Sequence, residues 1–216
     1  MKNPFSIDGR FFKIMGRVAD LFILALLWIV GCLPVVTIVT STAALYYAVV
    51  KCVRYDTGKL FTEFRDFYVA NLRQGIVLTL LFGSGGALIG LTDYQVVLRS
   101  SDGAGPPFIV GFGLLFLSLL FLLNLLWIAP VFSRFADTIG NVLRLNYVIA
   151  MRNLPGSLLM LLMIAVAAIL ILASNELILL LPSAVMLGHS LVVEPAMRRY
   201  MPKVEDSSGD WRYGYR

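Results

Sequence analysis

The 216-residue chain is 59% hydrophobic and only 14% charged, with a mean hydropathy of +0.83. A soluble domain is nearer about 45–50% apolar and about 25% charged. Here the excess lies in blocks without Lys or Arg, which excludes an ordinary water-soluble helical core and predicts an all-α, polytopic transmembrane bundle. The net charge of +5 does not indicate nucleic acid: 17 of the 18 Lys and Arg fall in four patches beside apolar spans, where membrane orientation and anionic lipid account for them.

Residues 1–17 mix Phe11, Phe12, Ile14 and Met15 with Arg10, Lys13 and Arg17, an amphipathic and basic lead-in to the first span. With no small-residue cleavage site after a short apolar region, this start reads as a retained helix rather than a signal peptide. The run 18–50 holds no Lys or Arg. It is too long for one span of about 20 residues and short for two. Spans are also predicted over 74–92 and 107–130, the latter opening on Pro106 and Pro107 and ending at Trp127 and Pro130. Residues 131–157 carry Arg134, Arg144 and Arg152 at helical spacing, a continuing or separate surface helix. From Leu158 to Val193 the chain is apolar but for ASNE at 173–176, which reads as two helices, 158–173 and 177–193, with Pro182 kinking the second. Residues 194–216 form a polar tail, expected to be cytoplasmic and loosely ordered.

Charge decides how 18–50 is laid out. A single crossing leaves basic patches at both ends of the first span. Two crossings, turning at Leu33–Val36, place 17 of the 18 cations on one side and leave only Arg99 on the other. The expected topology is therefore six crossings (18–34, 36–54, 74–92, 107–130, 158–173, 177–193) with both termini cytoplasmic. The second helix is short, starting near Thr40 and running on towards Tyr55. Pro34 supplies the turn, and Thr37, Thr40, Ser41 and Thr42 are placed to satisfy freed backbone groups. Gly86 and Gly90 form a G-x-x-x-G pair suited to close packing within the chain or to a homo-oligomer.

No zinc-ligand spacing, nucleophile elbow, phosphate loop or dinucleotide fingerprint is present, so no catalytic residue, metal or cofactor is expected. Cys32 and Cys52 stand apart without metal-site spacing. Asp20, Asn124 and His189 fall near the inner ends of the spans, with Arg54, Arg134, Asp137 and Glu194 just beyond. Such groups face a bundle interior and pair. They suggest a polar inner cluster that binds a ligand, docks a partner or ties the bundle together, with Arg17 one turn from Asp20 as its neutralising partner. Asp20, His189 and Glu194 are the one set on which acid–base chemistry could be imagined. Tyr46 and Tyr47, with Trp28 and Trp127, could stack on a sugar, though packing and interface belting account for them equally well.

Three stretches carry a resemblance: CLPVVTIVTSTAALYYAVVKCVR (32–54), WIAPVFSRFADTIGNVLRLNYVIAMRNLPGSLL (127–159) and VEPAMRRY (193–200). The proline turn, the Thr/Ser-rich segment, Ala44–Tyr47, the Arg134-Phe135 step and Arg152–Pro155 resemble the YesL family of bacterial membrane proteins, also called domain of unknown function 624. The basic segment 131–150 has fewer lysines than that family pattern leads one to expect. The resemblance implies a small multi-pass protein of the bacterial plasma membrane, accessory to carbohydrate uptake or sensing beside a transporter or sensor subunit, and with the lack of catalytic motifs the expectation is a non-enzymatic protein. A small transporter for an uncharged solute and a structural scaffold are the alternatives.

Overall fold

The computed structural model describes residues 10–101, 108–135 and 137–200. Regular structure among them is helical throughout: α1 (Arg10–Cys32), α2 (Ile38–Ala48), α3 (Leu60–Ser101), α4 (Phe108–Arg134), α5 (Ile139–Arg152), α6 (Leu154–Ala173) and α7 (Leu181–Met197). Five segments are long and apolar enough to cross a membrane: Ile14–Cys32, Val35–Arg54, Leu60–Arg99, Ile109–Arg134 and Leu154–Ala173.

The run 18–50 is a helical hairpin. α1 ends at Cys32, the chain turns through Leu33 and Pro34 into a 3-10 turn at Val35–Thr37, and α2 returns. The hydroxyls do the backbone work there. Thr37 donates to the Gly31 carbonyl at 2.8 Å and the Pro34 carbonyl at 2.6 Å, Ser41 donates to the Trp28 carbonyl at 3.0 Å, and Trp28 Nε1 donates to Thr42 at 3.2 Å. Thr40 behaves differently. Its hydroxyl is buried without a hydrogen bond and lies against Gly75 of α3, where a Cβ would stand 1.9 Å from it. Gly75, which the sequence reading overlooked, is what lets α3 close on α2.

Free of charge and made of apolar, small and hydroxyl residues, α2 is buried on nearly every side. At Ala48 its geometry widens into a π-type turn over Val49–Arg54. One wide turn re-aims the side chains that follow it and is frequent at functional sites.

Several expected boundaries shift. Residues 10–17 belong to the same helix as the first span. The expected loop 51–73 is a π turn, five linking residues and the first third of α3. At 42 residues α3 is about 63 Å long, twice the roughly 30 Å of hydrocarbon. Its first part, with Glu63, Arg65, Asp66 and Arg73, therefore extends beyond the apolar stretch that begins after Arg73. α4 does not stop at Pro130 but runs through it to Arg134, with the Ser133 hydroxyl donating to the Pro130 carbonyl at 2.7 Å. Segment 131–157 resolves into the end of α4, a separate α5 and the start of α6. The last helix begins at Leu181, after a 3-10 turn at Asn175–Leu179, and runs to Met197, so Glu194 belongs to α7 rather than to the tail. Pro182 sits in the first turn of α7, where its missing N–H costs nothing. The remaining tail residues, 201–216, and the lead-in 1–9 lie outside the described residues.

Within the chain, Gly86 and Gly90 do not share one contact. Gly85 and Gly86 both face the Phe121 ring of α4, with Cβ positions 3.2 Å and 3.3 Å from it, while Gly90 meets nothing within 4 Å. The close approach is an adjacent pair of glycines under one aromatic ring. α6 and α7 form an antiparallel hairpin: Gly188 faces Met163, His189 faces Met160 and Val192 faces Gly156, so α7 retraces α6 almost to its start.

Candidate functional site: a buried polar centre where α2, α4 and α7 meet

Glu194 of α7 is 2% exposed and anchors the centre. Arg134, at the end of α4, grips it with both forks of its guanidinium: Nε donates to Oε1 at 3.0 Å and Nη2 lies 2.5 Å from Oε2. A bidentate arginine–carboxylate pair is among the strongest and most directional polar contacts. Tyr46 of α2, fully buried, donates its hydroxyl to the same Oε1 at 3.1 Å. Three helices far apart in sequence thus share one carboxylate.

Beside it, the π turn delivers Arg54 to α7. Arg54 Nη1 donates to the Ser190 carbonyl and, at 2.9 Å, to the Ser190 hydroxyl, which itself donates to the Leu187 carbonyl at 2.6 Å. The turn also aims Lys51 at Glu63 of α3, 2.6 Å away, with Lys51 Nζ 5.5 Å from the centroid of the Tyr47 ring. Tyr47 stacks on Phe67, ring centroids 4.8 Å apart. One widened turn therefore ties α2 to α3 on one side and to α7 on the other. The sequence reading missed Lys51–Glu63. An opposite-charge pair twelve residues apart across a loop carries no periodic signal.

The other expected cluster members are distributed. His189, 2% exposed, lies with Nε2 3.2 Å from the Met160 carbonyl. A carbonyl only accepts, so this contact holds the proton on Nε2. Its role is to join α7 to α6, next to the centre rather than in it. Asn124 is joined from α5 by Asn146, whose amide donates to the Asn124 carbonyl at 3.0 Å. Asp20 lies on α1, partly exposed, and makes no ion pair with Arg17 or with any other described residue. Asp137 is exposed and lies just before α5, accepting from the Thr138 N–H at 2.6 Å and from the Asn141 side-chain amide at 3.0 Å. Those two donors hold its carboxyl below the ordinary carboxylate range. The set Asp20, His189 and Glu194 is not assembled: their polar contacts are with separate partners. Among the described residues no group of His, Cys, Asp and Glu is arranged to hold a metal ion.

A cleft of about 310 Å³ opens between the α1–α2 and α6–α7 hairpins, lined by Trp28, Leu45, Ala167, Ile171, Pro182 and Met186 among others. Its lining is apolar, and it is separate from the Arg134–Glu194 centre.

Several apolar helices joined through one buried charge cluster define the class: a polytopic, all-helical membrane protein, consistent with a bacterial plasma membrane. Residues 21–94 match the family described as "Protein of unknown function, DUF624". The matched residues run from α1 into α3 and so contain Tyr46, Tyr47, Lys51 and Arg54, while Arg134 and Glu194 lie outside them. No curated protein and no solved structure shows significant similarity to the chain.

Proposed function

We propose that this is a non-enzymatic accessory protein of the plasma membrane, coupled to a carbohydrate uptake or sensing system, with six crossings and both termini in the cytoplasm. The observation that carries the accessory reading is the way the buried charges are used. Arg134, Glu194 and Tyr46 bond to one another, Arg54 bonds to α7, and Lys51 to Glu63. A transport path or acid–base site needs polar groups turned toward a substrate, whereas these are turned toward each other and hold helices in fixed relation. The carbohydrate connection comes from the family resemblance. Purification of the tagged full-length protein in mild detergent tests it. Stoichiometric recovery of a carbohydrate transporter or sensor subunit is the expected result, and recovery as a solitary monomer would overturn it. The alternative, passage of an uncharged solute, predicts oligosaccharide uptake into liposomes containing the purified protein alone.

The six-crossing layout is supported by α7, which at 17 residues runs back along α6 from Met163 to Gly156, and by the charge distribution. Impermeant maleimide applied to intact cells should label cysteines introduced at Arg99 and Glu176. Cysteines at Lys59 and Arg144 should react only after permeabilisation. Labelling of residue 144 in intact cells would refute the layout.

A further inference from the structure

The geometry points to α5 as a headgroup-binding helix that selects anionic phospholipid at the membrane surface. α5 is a 14-residue connector between two apolar helices. α4 ends at Arg134 before it, and after the single break at Asn153 the chain passes directly into the apolar α6. That junction fixes α5 at the boundary between hydrocarbon and water. One face is committed to the bundle: Val142, Asn146, Ile149 and Ala150 are buried, and Asn146 bonds to Asn124 of α4. The opposite face exposes Arg144, Tyr147 and Arg152. Arg144 and Tyr147 are three residues apart and share a face, and Arg152 follows two turns on.

The charge on this face is uncompensated among the described residues. Between Thr138 and Ser174 the sequence contains no Asp or Glu. Asp137, the nearest acid along the sequence, is engaged by the Thr138 N–H and the Asn141 side-chain amide. Neither Arg144 nor Arg152 forms an ion pair among the described residues, whereas the exposed Arg65 of α3 is paired with Asp66 at 2.9 Å. Two unpaired guanidiniums flanking a tyrosine, held at the lipid surface, form a basic amphipathic face complementary to phosphate headgroups. This inference is independent of the accessory role proposed above.

The test uses the full-length protein in nanodiscs made of phosphatidylcholine or of a phosphatidylcholine–phosphatidylglycerol mixture, with bound lipid counted by mass spectrometry after partial delipidation. Wild type is expected to retain phosphatidylglycerol in preference to phosphatidylcholine. An R144Q/R152Q variant should lose that preference by about 25-fold at low salt, since each surface arginine contributes roughly one factor of five. R65Q should keep it. As a readout that does not depend on the variant folding, the wild-type preference should collapse as salt rises. An unchanged preference in folded R144Q/R152Q, a wild-type protein indifferent to lipid charge, or a preference that survives high salt would each overturn the proposal.

Discussion

Glu194 offers the sharpest test of how the bundle is held together. In Glu194→Leu, Arg134 loses both its bonds to that carboxylate, at 3.0 Å and 2.5 Å, and keeps its charge in a site where its side chain is 2% exposed. Tyr46 loses its acceptor as well. Stranding one member of a buried pair costs about 3–5 kcal/mol. In a chain of this size about 1 kcal/mol corresponds to roughly 2–4 °C in melting temperature, so the detergent-solubilised variant should melt about 10 °C lower. Arg134→Leu should cost a similar amount by leaving the carboxylate unpaired. The double variant, Arg134→Leu with Glu194→Leu, removes both charges and should be more stable than either single one, because the desolvation cost disappears with the pair. A melting series of wild type, both singles and the double closes the cycle. If the double variant falls by the sum of the two singles, the residues act independently and the centre is not the joint described here.

Tyr46→Phe removes one hydrogen bond to a carboxylate and should cost about 1.5–3 kcal/mol by the same melting assay, clearly less than Glu194→Leu. Gly75→Ala would bring a Cβ to 1.9 Å from the Thr40 hydroxyl and 3.1 Å from its Cα, and should destabilise by about 1–3 kcal/mol. Gly90→Ala meets open space and should be neutral or mildly stabilising, by up to about 1 kcal/mol. Acidification tests Asp137. Its folded carboxyl is depressed by the Thr138 and Asn141 donors, so its contribution is present above the ordinary carboxylate value of about 4 and fades as pH falls through the lower folded value. Melting curves of wild type and Asp137→Asn should differ near neutral pH and converge in strong acid. A constant difference would contradict the role of those two hydrogen bonds.

Much of the architecture is written in the charge pattern. The hairpin at Leu33–Pro34, with its hydroxyl-rich second helix, follows from cations falling on one side of every alternate loop. The region where Arg54 and Arg134 would lie was also legible, since charges at span ends must find partners. What was not legible is which charge meets which. Tyr46 and Glu194 are 148 positions apart, Arg134 and Glu194 60, and nothing local in either sequence refers to the other. Glu194 read as the start of a polar tail because Arg198 and Arg199 follow it closely. Only the packing of α7 against α2 and the π turn that follows it shows it to be interior. Asp20 failed in the opposite sense. An acid in an apolar run looks like a buried group seeking a partner, yet its position on α1 leaves it partly exposed. Gly90 illustrates the weakness of a spacing motif, since helical phase turns it outward while the adjacent Gly85 and Gly86 take the contact with Phe121. The π turn left no sequence signal, and it is what directs Lys51 and Arg54 to different helices.

The placement of Glu194 near the end of the chain also sets an order of assembly. α2 is emerging from the ribosome when its tyrosine, Tyr46, has no acceptor, and 148 residues separate it from the one it will use. At about 5–20 residues per second that interval is roughly 7–30 s. Throughout it this hydroxyl-rich helix, meant for the interior, must be sheltered by the helices made before α7, chiefly α1, α3 and α4, or by the insertion machinery. The last helix to be made thus acts as a latch, and a chain cut short before residue 194 would present quality-control proteases with a hairpin that has nothing to close it.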